Sequence, residues 1–383
     1  MAVRRIYLDY AATAPIAPTA ALAMAPWLSG EFGNPSSLHA EGRAAKAALD
    51  VAREQVSRAV GCEFGEVVFT SGGTEAVNLA LVGAALAGID GHRTRALFGA
   101  AEHHAVLETE PVLGAIGCSV EVVPIDRYGR IDLNVLQDLL ADDVLLVSLM
   151  FANNEVGTWQ PVAEVARLAA SHGALFHCDA VQAFGIPGPG GEAWSVGSLG
   201  ADLVSLSAHK LGGPKGVGAL YVKAGTPIRP VLRGGGQERE MRAGTENVAG
   251  IAGFGAVAAH PSDAKCRLAA RTAFADALEG FEFTIPGEMP THPGILHVRA
   301  PGVSAETVLI RLDRAGVSAS SGAACSSGSI EPSHVLTACG YSPAEAKEGL
   351  RFSFGEETSI EDARSAAALL NEAVADVRSA RAR

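Results

Sequence analysis

A lysine in the setting of a reactive amine follows an apolar segment in the middle of the chain. Residues 201–206 are strand-like, Lys210 comes shortly after them, and residues 211–216 form a glycine-rich turn. A strand fixes the approach of the side chain, and small turn residues leave space beside it. Such an amine can form a Schiff base with an aldehyde cofactor. Lys215 is the competing lysine, and a solvated surface position is the alternative for either.

A carboxylate ends a second strand-like segment farther upstream. Residues 174–182 run Ala-Leu-Phe-His-Cys-Asp-Ala-Val-Gln, so Asp179 and Gln182 follow an apolar stretch. An unpaired buried carboxylate costs several kcal/mol, and Asp179 therefore needs a cationic partner. A protonated pyridine nitrogen is one candidate, and a buried arginine is the other. Together with Lys210, this pattern indicates pyridoxal 5′-phosphate as the cofactor.

A phosphate site is predicted where residues 70–75, Thr-Ser-Gly-Gly-Thr-Glu, connect a strand to a helix. Small residues and the free N–H groups of a helix start favour a phosphate group. An ordinary N-cap formed by Thr74 or Ser71 is the alternative. The sequence contains neither a GxGxxG nor a GxxxxGK[ST] pattern, which disfavours dinucleotides and ATP.

Three further positions carry polar side chains that could contact a ligand. His103, with His104 beside it, follows a strand; it could stack on an aromatic cofactor or be structural, and neighbouring histidines on a strand point apart, which disfavours a shared metal. Asn154 lies in an Asn-Asn pair after an apolar strand, where a plain turn is the alternative. Arg351 is a single cation on an apolar strand, suited either to a substrate carboxylate or to a structural ion pair.

Cys325 differs in its surroundings from the other five cysteines. It lies in the Ser/Gly/Ala-rich stretch 320–329, where no bulky neighbour buries it, and an accessible thiol there is a candidate nucleophile. The remaining cysteines are interpreted as inert core residues: Cys62, Cys118, Cys178, Cys266 and Cys339. No Cys-x-x-Cys pair occurs, which argues for a reducing compartment and against a zinc ribbon or disulfide scaffold.

The elements that must position these residues alternate between strand and helix. The predicted fold is α/β, with a large domain built on a mostly parallel seven-stranded sheet between helices and a smaller α+β domain. The strand-like segments are 66–70, 95–99, 120–124, 144–150, 174–179, 202–207 and, as a possible antiparallel partner, 217–222. The predicted large domain spans residues 15–254, and the small domain combines residues 1–14 with 255–383.

Composition excludes several classes of protein. The 383 residues carry a net charge of −12, which disfavours a nucleic-acid partner. No uninterrupted apolar run is long enough to span a membrane. Asp9, Pro15 and Pro18 interrupt the apolar run that an export signal needs, so the N-terminus is not read as one and a cytoplasmic location is expected.

Taken together, these motifs resemble the NifS/IscS-type cysteine desulfurases of the class V aminotransferase group. The similarity begins at residues 7–15, Tyr-Leu-Asp-Tyr-Ala-Ala-Thr-Ala-Pro, and continues in the family's order over nearly the whole chain. The further matching stretches are 33–37, 70–75, 102–106, 153–157, 177–182, 207–216, 234–247, 320–329 and 350–355. Glu240 departs from the pattern, since a glycine is usual there, and Gly73 stands where alanine is common.

The resemblance implies a role for each position. Lys210 carries the cofactor, Asp179 holds its ring nitrogen, His103 stacks on the ring and Gln182 contacts the ring oxygen. The phosphate is bound by Gly73, Thr74, Ser207 and His209, with Thr245 from the other subunit of a homodimer. Asn154 and Arg351 bind the substrate carboxylate. Cys325 takes the sulfur of L-cysteine as a persulfide; no resident metal is implied, although this thiol could ligate an iron–sulfur cluster transiently.

The implied activity is conversion of L-cysteine to L-alanine, with sulfur passed to an acceptor such as an iron–sulfur scaffold protein. Selenocysteine lyase, another class V aminotransferase and a non-enzymatic sulfur-transfer scaffold are the alternatives. Cys325 separates them, because a transaminase has no use for a loop thiol. The intact set of Lys210, Asp179 and Cys325 disfavours the scaffold.

Overall fold

A seven-stranded sheet lies at the centre of the computed structural model, which describes residues 5–88, 91–260, 262–322 and 332–381. Its strand order is β2-β8-β7-β6-β5-β3-β4. The five strands from β7 to β4 run parallel to one another, and β8 is antiparallel to both of its neighbours. The strands of the described residues are β1 Ile6–Tyr7, β2 Val67–Thr70, β3 Arg95–Gly99, β4 Ser119–Val123, β5 Val144–Met150, β6 Leu175–Asp179, β7 Leu203–Ser207, β8 Gly218–Val222, β9 Glu282–Phe283, β10 Ile295–Arg299, β11 Val317–Ser318 and β12 Gly349–Ser353.

Helices cover both faces of this sheet. Helix α3 packs on one face against β7 and β8, and α7 packs on the other against β5 and β6. The helices of the described residues are α1 Pro18–Met24, α2 Ala40–Val60, α3 Gly73–Gly88, α4 His104–Leu107, α5 Glu110–Ala115, α6 Leu133–Leu139, α7 Val162–Ser171, α8 Val196–Leu199, α9 Val248–Ala258, α10 Ala264–Ala275, α11 Ala305–Arg314, α12 His334–Ala338, α13 Pro343–Ala346 and α14 Ile360–Arg381. None of these helices combines the length and apolarity needed to cross a bilayer.

The central strands are apolar because helices bury both of their faces. Strand β5, Val-Leu-Leu-Val-Ser-Leu-Met, is buried at every position, as expected for a parallel strand covered on both sides. Strand β8 pairs antiparallel with β7, and residues 208–217 connect the two strands at the end of the sheet. The predicted α/β class and the mostly parallel seven-stranded sheet are confirmed.

A second apolar cluster lies outside this sheet. Strands β12, β10 and β9 form an antiparallel sheet that packs with α10, α11 and α14. The N-terminal segment joins this cluster, since Leu8 is buried in it and β1 pairs with β11. The domain boundaries predicted from the sequence, after residues 14 and 254, stay a prediction.

Candidate active site

The carboxyl ends of the central strands open into a cavity of about 370 Å³. Parallel α/β sheets bind ligands at this end of their strands. Its lining includes ten residues singled out from the sequence: Gly73, Thr74, His103, Asn154, Asp179, Gln182, Ser207, His209, Lys210 and Arg351. The fold therefore gathers side chains that are far apart along the chain, while their individual roles stay predictions.

Lys210 reaches the cavity from a short 3₁₀ turn that follows β7. Its Nζ donates hydrogen bonds to the main-chain oxygens of Ala11 and Ala12, at 2.6 and 2.9 Å. The segment that holds this amine belongs to the N-terminal motif 7–15. Lys215, the competing lysine, is exposed and is not among the residues that line the cavity.

Asp179 ends β6 as a buried carboxylate at the floor of the cavity. Its Oδ1 accepts the Val181 N–H at 3.0 Å. Burial raises the pKa of Asp179 to about 6, while the Val181 N–H and the charge of Lys210 lower it. Among the described residues no arginine or lysine forms an ion pair with this carboxylate, so the buried-arginine alternative does not apply.

The start of α3 and the end of β7 form the opposite side of the cavity. Gly73 has no room for a side chain, since a Cβ there would come within 2.8 Å of Val181 Cγ2 and 3.5 Å of Ser207 Cβ. The Ser207 hydroxyl is buried without a hydrogen-bond partner. His209 Nδ1 lies 3.1 Å from Thr13 Oγ1, and burial together with Lys210 and Lys215 lowers the pKa of His209 to about 4.

These features fit pyridoxal 5′-phosphate. A buried carboxylate that forms no direct ion pair with a side chain of the described residues suits a protonated ring nitrogen. An unpartnered buried hydroxyl beside the N-terminus of a sixteen-residue helix suits a phosphate group. Gln182 Nε2, which donates to Ala11 O at 2.9 Å, lines the same cavity between these two ends.

His103 lies at the mouth of the cavity as the N-cap of α4. Its Nδ1 accepts the Ala105 N–H at 3.0 Å. Burial, Lys210, His104 and His334 lower the pKa of His103 to about 4, so the ring is neutral at pH 7. His103 and His104 follow strand β3, as predicted, but they lie at the start of a helix, so the argument that neighbouring strand residues point apart does not apply; their ring centroids are 6.4 Å apart.

Arg351 and Asn154 both line the cavity, and the Arg351 side chain contacts the main chain of Asn154. Arg351 Nη1 donates to Asn154 O at 2.9 Å, and Nη2 forms an ion pair with Asp9 Oδ1 at 2.8 Å. The ion pair with an acid, one of the two alternatives drawn from the sequence, is present; the guanidinium also lines the cavity, and its binding of a substrate carboxylate stays a prediction. Asp9 was not identified as a site residue from the sequence. The feature that could have indicated it is the position of this carboxylate within the N-terminal motif 7–15.

One predicted site residue is not brought into this cavity, and another lies outside the described part of the chain. Thr245 is exposed and lies beside a separate depression with Thr70 and Glu246. Cys325 lies outside the described residues. Gly322, which precedes it, does line the cavity.

The five other cysteines are free thiols, but they are not all core residues. Cys118, Cys178 and Cys339 are buried and Cys62 is partly buried. Cys266 is exposed, so its assignment to the core was wrong. It occupies the first turn of α10, where its Sγ lies 3.4 Å from Asp263 Oδ2.

Comparison with known proteins places this site in context. Residues 6–365 match the family described as Aminotransferase class-V. A cysteine desulfurase IscS from Dictyoglomus turgidum is 41% identical over 368 residues, which cover 94% of this chain and 92% of the relative. A solved NifS-like protein superposes with a TM-score of 0.89 at 33% identity, covering 97% of this chain and 100% of its own. SspA in complex with cysteine gives a TM-score of 0.82 at 32% identity, covering 91% and 99%.

Proposed function

The chain belongs to the aminotransferase class-V family, and we propose that it is a pyridoxal-phosphate-dependent cysteine desulfurase that converts L-cysteine to L-alanine. The observation that carries this proposal is the buried Asp179 carboxylate facing the same cavity as the Lys210 amine. The names of the relatives support the reaction, since IscS enzymes are described as cysteine desulfurases and SspA is solved with cysteine.

The residues that line the cavity would hold the cofactor. Asp179 would bind the ring nitrogen, Gln182 the ring oxygen and Lys210 the aldehyde carbon, with His103 against the ring. The phosphate would contact Gly73, Thr74, Ser207, His209 and, from the other subunit, Thr245. When bound, pyridoxal 5′-phosphate supplies a sink for the electron pair left on the substrate's α-carbon.

The protein's own groups then orient the substrate and move its protons. Arg351, with Asn154, holds the substrate carboxylate through its guanidinium. Lys210 Nζ takes the α-proton and returns it. His103 is neutral at pH 7, since its pKa is lowered to about 4, and can accept a proton at a ring nitrogen.

Cys325 completes the reaction. Its thiolate attacks the substrate's sulfur, so an S–S bond forms while the C–S bond breaks, and the carbon takes up a proton to give alanine. The enzyme keeps the sulfur as a persulfide. An acceptor such as an iron–sulfur scaffold protein then receives it, and the thiol can act meanwhile as a transient cluster ligand. The absence of disulfides among the described cysteines is compatible with the expected cytoplasmic location.

A homodimer is the proposed assembly. Several large apolar side chains near the N-terminus have an exposed fraction of 70% or more. Such side chains are rarely concentrated in one segment of a surface that faces only water. They are Leu22, Leu28, Phe32 and Leu38. Thr245 lies outside the cavity of its own chain. This position supports a homodimer, since Thr245 can then contribute to the cavity of the second chain.

The test follows alanine and sulfide together, using purified protein, L-cysteine and a thiol reductant. Wild-type protein is expected to show the visible absorbance of bound cofactor and to form both products. Lys210→Ala loses the cofactor band and the activity, whereas the matched variant Lys215→Ala keeps both. Wild-type protein without any cofactor band would overturn the proposal.

A second variant separates the desulfurase from the alternatives. Cys325→Ala is expected to keep the cofactor band and to lose sulfide release from cysteine, while Cys339→Ala retains it. Full activity of Cys325→Ala toward cysteine would exclude the persulfide step. Retained activity toward selenocysteine alone would favour the lyase.

A further inference from the structure

A row of polar side chains crosses the three adjacent strands β5, β6 and β7 beneath the candidate active site and ends at a residue of the loop that follows β3. It consists of Glu102, Ser148, His177 and Ser205, and each of these residues is fully buried. Ser148 Oγ lies 3.5 Å from Glu102 Oε2 and 2.8 Å from His177 Nδ1. His177 Nε2 lies 2.8 Å from Ser205 Oγ. We call this set the polar row.

The polar row lies on the α3 face of the sheet, directly below the cavity. In β6, His177 is two residues before Asp179 and therefore points to the same face. In β5, Ser148 pairs with His177, and Met150 pairs with Asp179. The row is thus one step deeper than the layer of residues that line the cavity.

Glu102 receives no cation in this buried position. Its Oε1 accepts the Met150 N–H at 2.6 Å, and its other oxygen has only the long contact to Ser148. Within the described residues no lysine, arginine or histidine side chain forms an ion pair with it. The charged group that does act on it is a second carboxylate, Asp179. Two ionised carboxylates that are both buried repel each other, which favours a proton on one of them.

Asp179 is the better placed of the two to remain ionised. It lines the cavity, where Lys210 lies close enough to stabilise its charge. Glu102 is sealed from the cavity, and burial with the charge of Asp179 raises the pKa of Glu102 to about 8. His177 is neutral as well, because burial lowers its pKa to about 3.

Resting on the proposed function, we propose that Glu102 is a positioning residue that keeps its proton in the working enzyme, so that Asp179 is the only one of the two carboxylates to be ionised. The same proton orders the polar row. The Glu102 O–H donates to Ser148 Oγ, the Ser148 O–H donates to His177 Nδ1, and His177 Nε2–H donates to Ser205 Oγ. An ionised Glu102 would reverse every one of these bonds.

Other titratable groups surround Glu102. His334 of α12 bonds its main-chain oxygen through Nε2 at 2.9 Å, and His103 follows it in the chain. Asp179 and His177 face it from β6, and Lys210 lies beyond Asp179. Of these groups, Asp179 and Lys210 both line the cavity, and the charge of Lys210 is opposite in sign to that of the Asp179 carboxylate.

Infrared spectroscopy of the full-length protein tests the protonation directly. Protein freed of cofactor is expected to show the C=O stretching band of a protonated carboxyl group at pH 7. Glu102→Gln removes this band, because the amide has the same shape but no acid group. The matched variant Ser148→Ala keeps the band and shifts it, since only a hydrogen-bond partner is lost. Absence of the band in wild-type protein, or its persistence in Glu102→Gln, would overturn the proposal.

Nitrogen NMR of His177 gives a second readout that needs neither cofactor nor turnover. Wild-type protein and Glu102→Gln are expected to carry the hydrogen on Nε2, because the glutamine amide also donates toward Ser148. An Nδ1–H ring in wild-type protein would contradict the proposal. Because both measurements use cofactor-free protein, failure here is distinct from failure of the desulfurase assignment, which the product assay decides.

With cofactor bound, the pH titration of its absorbance supplies the functional readout. Glu102→Gln exchanges a neutral acid for a neutral amide. The midpoint of this pH titration is therefore expected to be the same in Glu102→Gln and in wild-type protein. Loss of a true negative charge would instead move the midpoint to lower pH, since the cationic form of the cofactor would lose a stabilising neighbour. Such a shift would contradict a protonated Glu102.

Discussion

At the scale of single residues, burial decides the charge of the groups beneath and around the cavity. Desolvation raises the pKa of a carboxyl group and lowers that of an imidazole. Asp179 and His103 show the two directions side by side, with pKa values of about 6 and 4. The site thus contains one acid that needs a cation and one base that is uncharged at neutral pH.

Replacing Asp179 by asparagine removes the carboxylate that we propose as the counterion of the ring nitrogen, while preserving the shape of the side chain. Breaking a buried charge pair costs about 3–5 kcal/mol, and kcat/KM is therefore expected to fall by a factor of roughly 10² to 10⁴. Steady-state kinetics and the cofactor's dissociation constant measure the effect. Asp138→Asn, on the exposed side of α6, is the control. A loss of less than about threefold in Asp179→Asn would contradict the role given to this carboxylate.

Buried histidines make the fold sensitive to acid. Burial lowers the pKa values of His177, His292 and His297 to about 3, whereas the unfolded chain has its usual value near 6.5. Between these limits the unfolded state binds more protons, so the free energy of unfolding falls as the pH drops from about 6.5 toward 3.

His297→Gln is expected to remove the contribution of one histidine to the pH dependence of the free energy of unfolding, which is up to about 1.4 kcal/mol per pH unit. Urea unfolding at a series of pH values measures it. His260→Gln, at an exposed position, should leave the slope unchanged. Equal slopes in wild-type protein and His297→Gln would show that His297 is not held neutral.

At the scale of elements, the segment that precedes Thr245 has an unusual backbone. Glu238, Arg239 and Glu240 all adopt left-handed conformations, with φ of 47°, 56° and 66°. A buried ion pair holds the segment, since both Glu238 oxygens bond to Arg53, at 2.6 and 2.7 Å. The anchor explains how three non-glycine residues in succession persist where each is disfavoured by about 1–2 kcal/mol.

Glu240→Gly is expected to raise the free energy of unfolding by up to about 1 kcal/mol. The substitution removes the left-handed penalty at an exposed side chain, and the greater freedom of glycine in the unfolded chain offsets part of the gain. Glu288→Gly, in an exposed turn without a positive φ, should instead lose about 0.5–1 kcal/mol. Denaturant unfolding of both variants measures the difference. A destabilised Glu240→Gly would mean that the Glu240 side chain contributes more than its backbone costs.

At the scale of the whole molecule, the sequence predicted the sheet well because its strands are continuous apolar runs. The predicted strand 144–150 coincides with β5. The predicted antiparallel segment 217–222 corresponds to β8, which begins one residue later. Glycine-rich turns and polar strand ends likewise indicated Lys210 and Asp179, which the fold brings to one cavity.

The polar row could not be assembled from the sequence in the same way. Ser148 and His177 interrupt apolar strands, which is a visible signal, but their partners come from different strands whose order and register no local pattern fixes. Asp9 was missed for a related reason, since Arg351 lies at the far end of the chain. The role of Thr245 depends on a second chain and stays a prediction.

Mixing two inactive variants tests that assembly. If Thr245 serves the neighbouring chain's site, a dimer of one Lys210→Ala chain and one Thr245→Ala chain contains one complete site. Random exchange gives mixed dimers in about half of the population, so about one quarter of all sites should recover. Subunit exchange followed by the alanine assay measures this. No gain over the separate variants would place Thr245 outside the site.

The exposed thiol of Cys266, at the start of α10, affects any measurement of the number of persulfides per chain. Reagents that alkylate accessible cysteines will modify Cys266 in the folded protein, whatever happens at position 325. The neighbouring Asp263 raises the pKa of that thiol and slows its labelling without preventing it. A Cys266→Ser background would give persulfide stoichiometry a clean baseline.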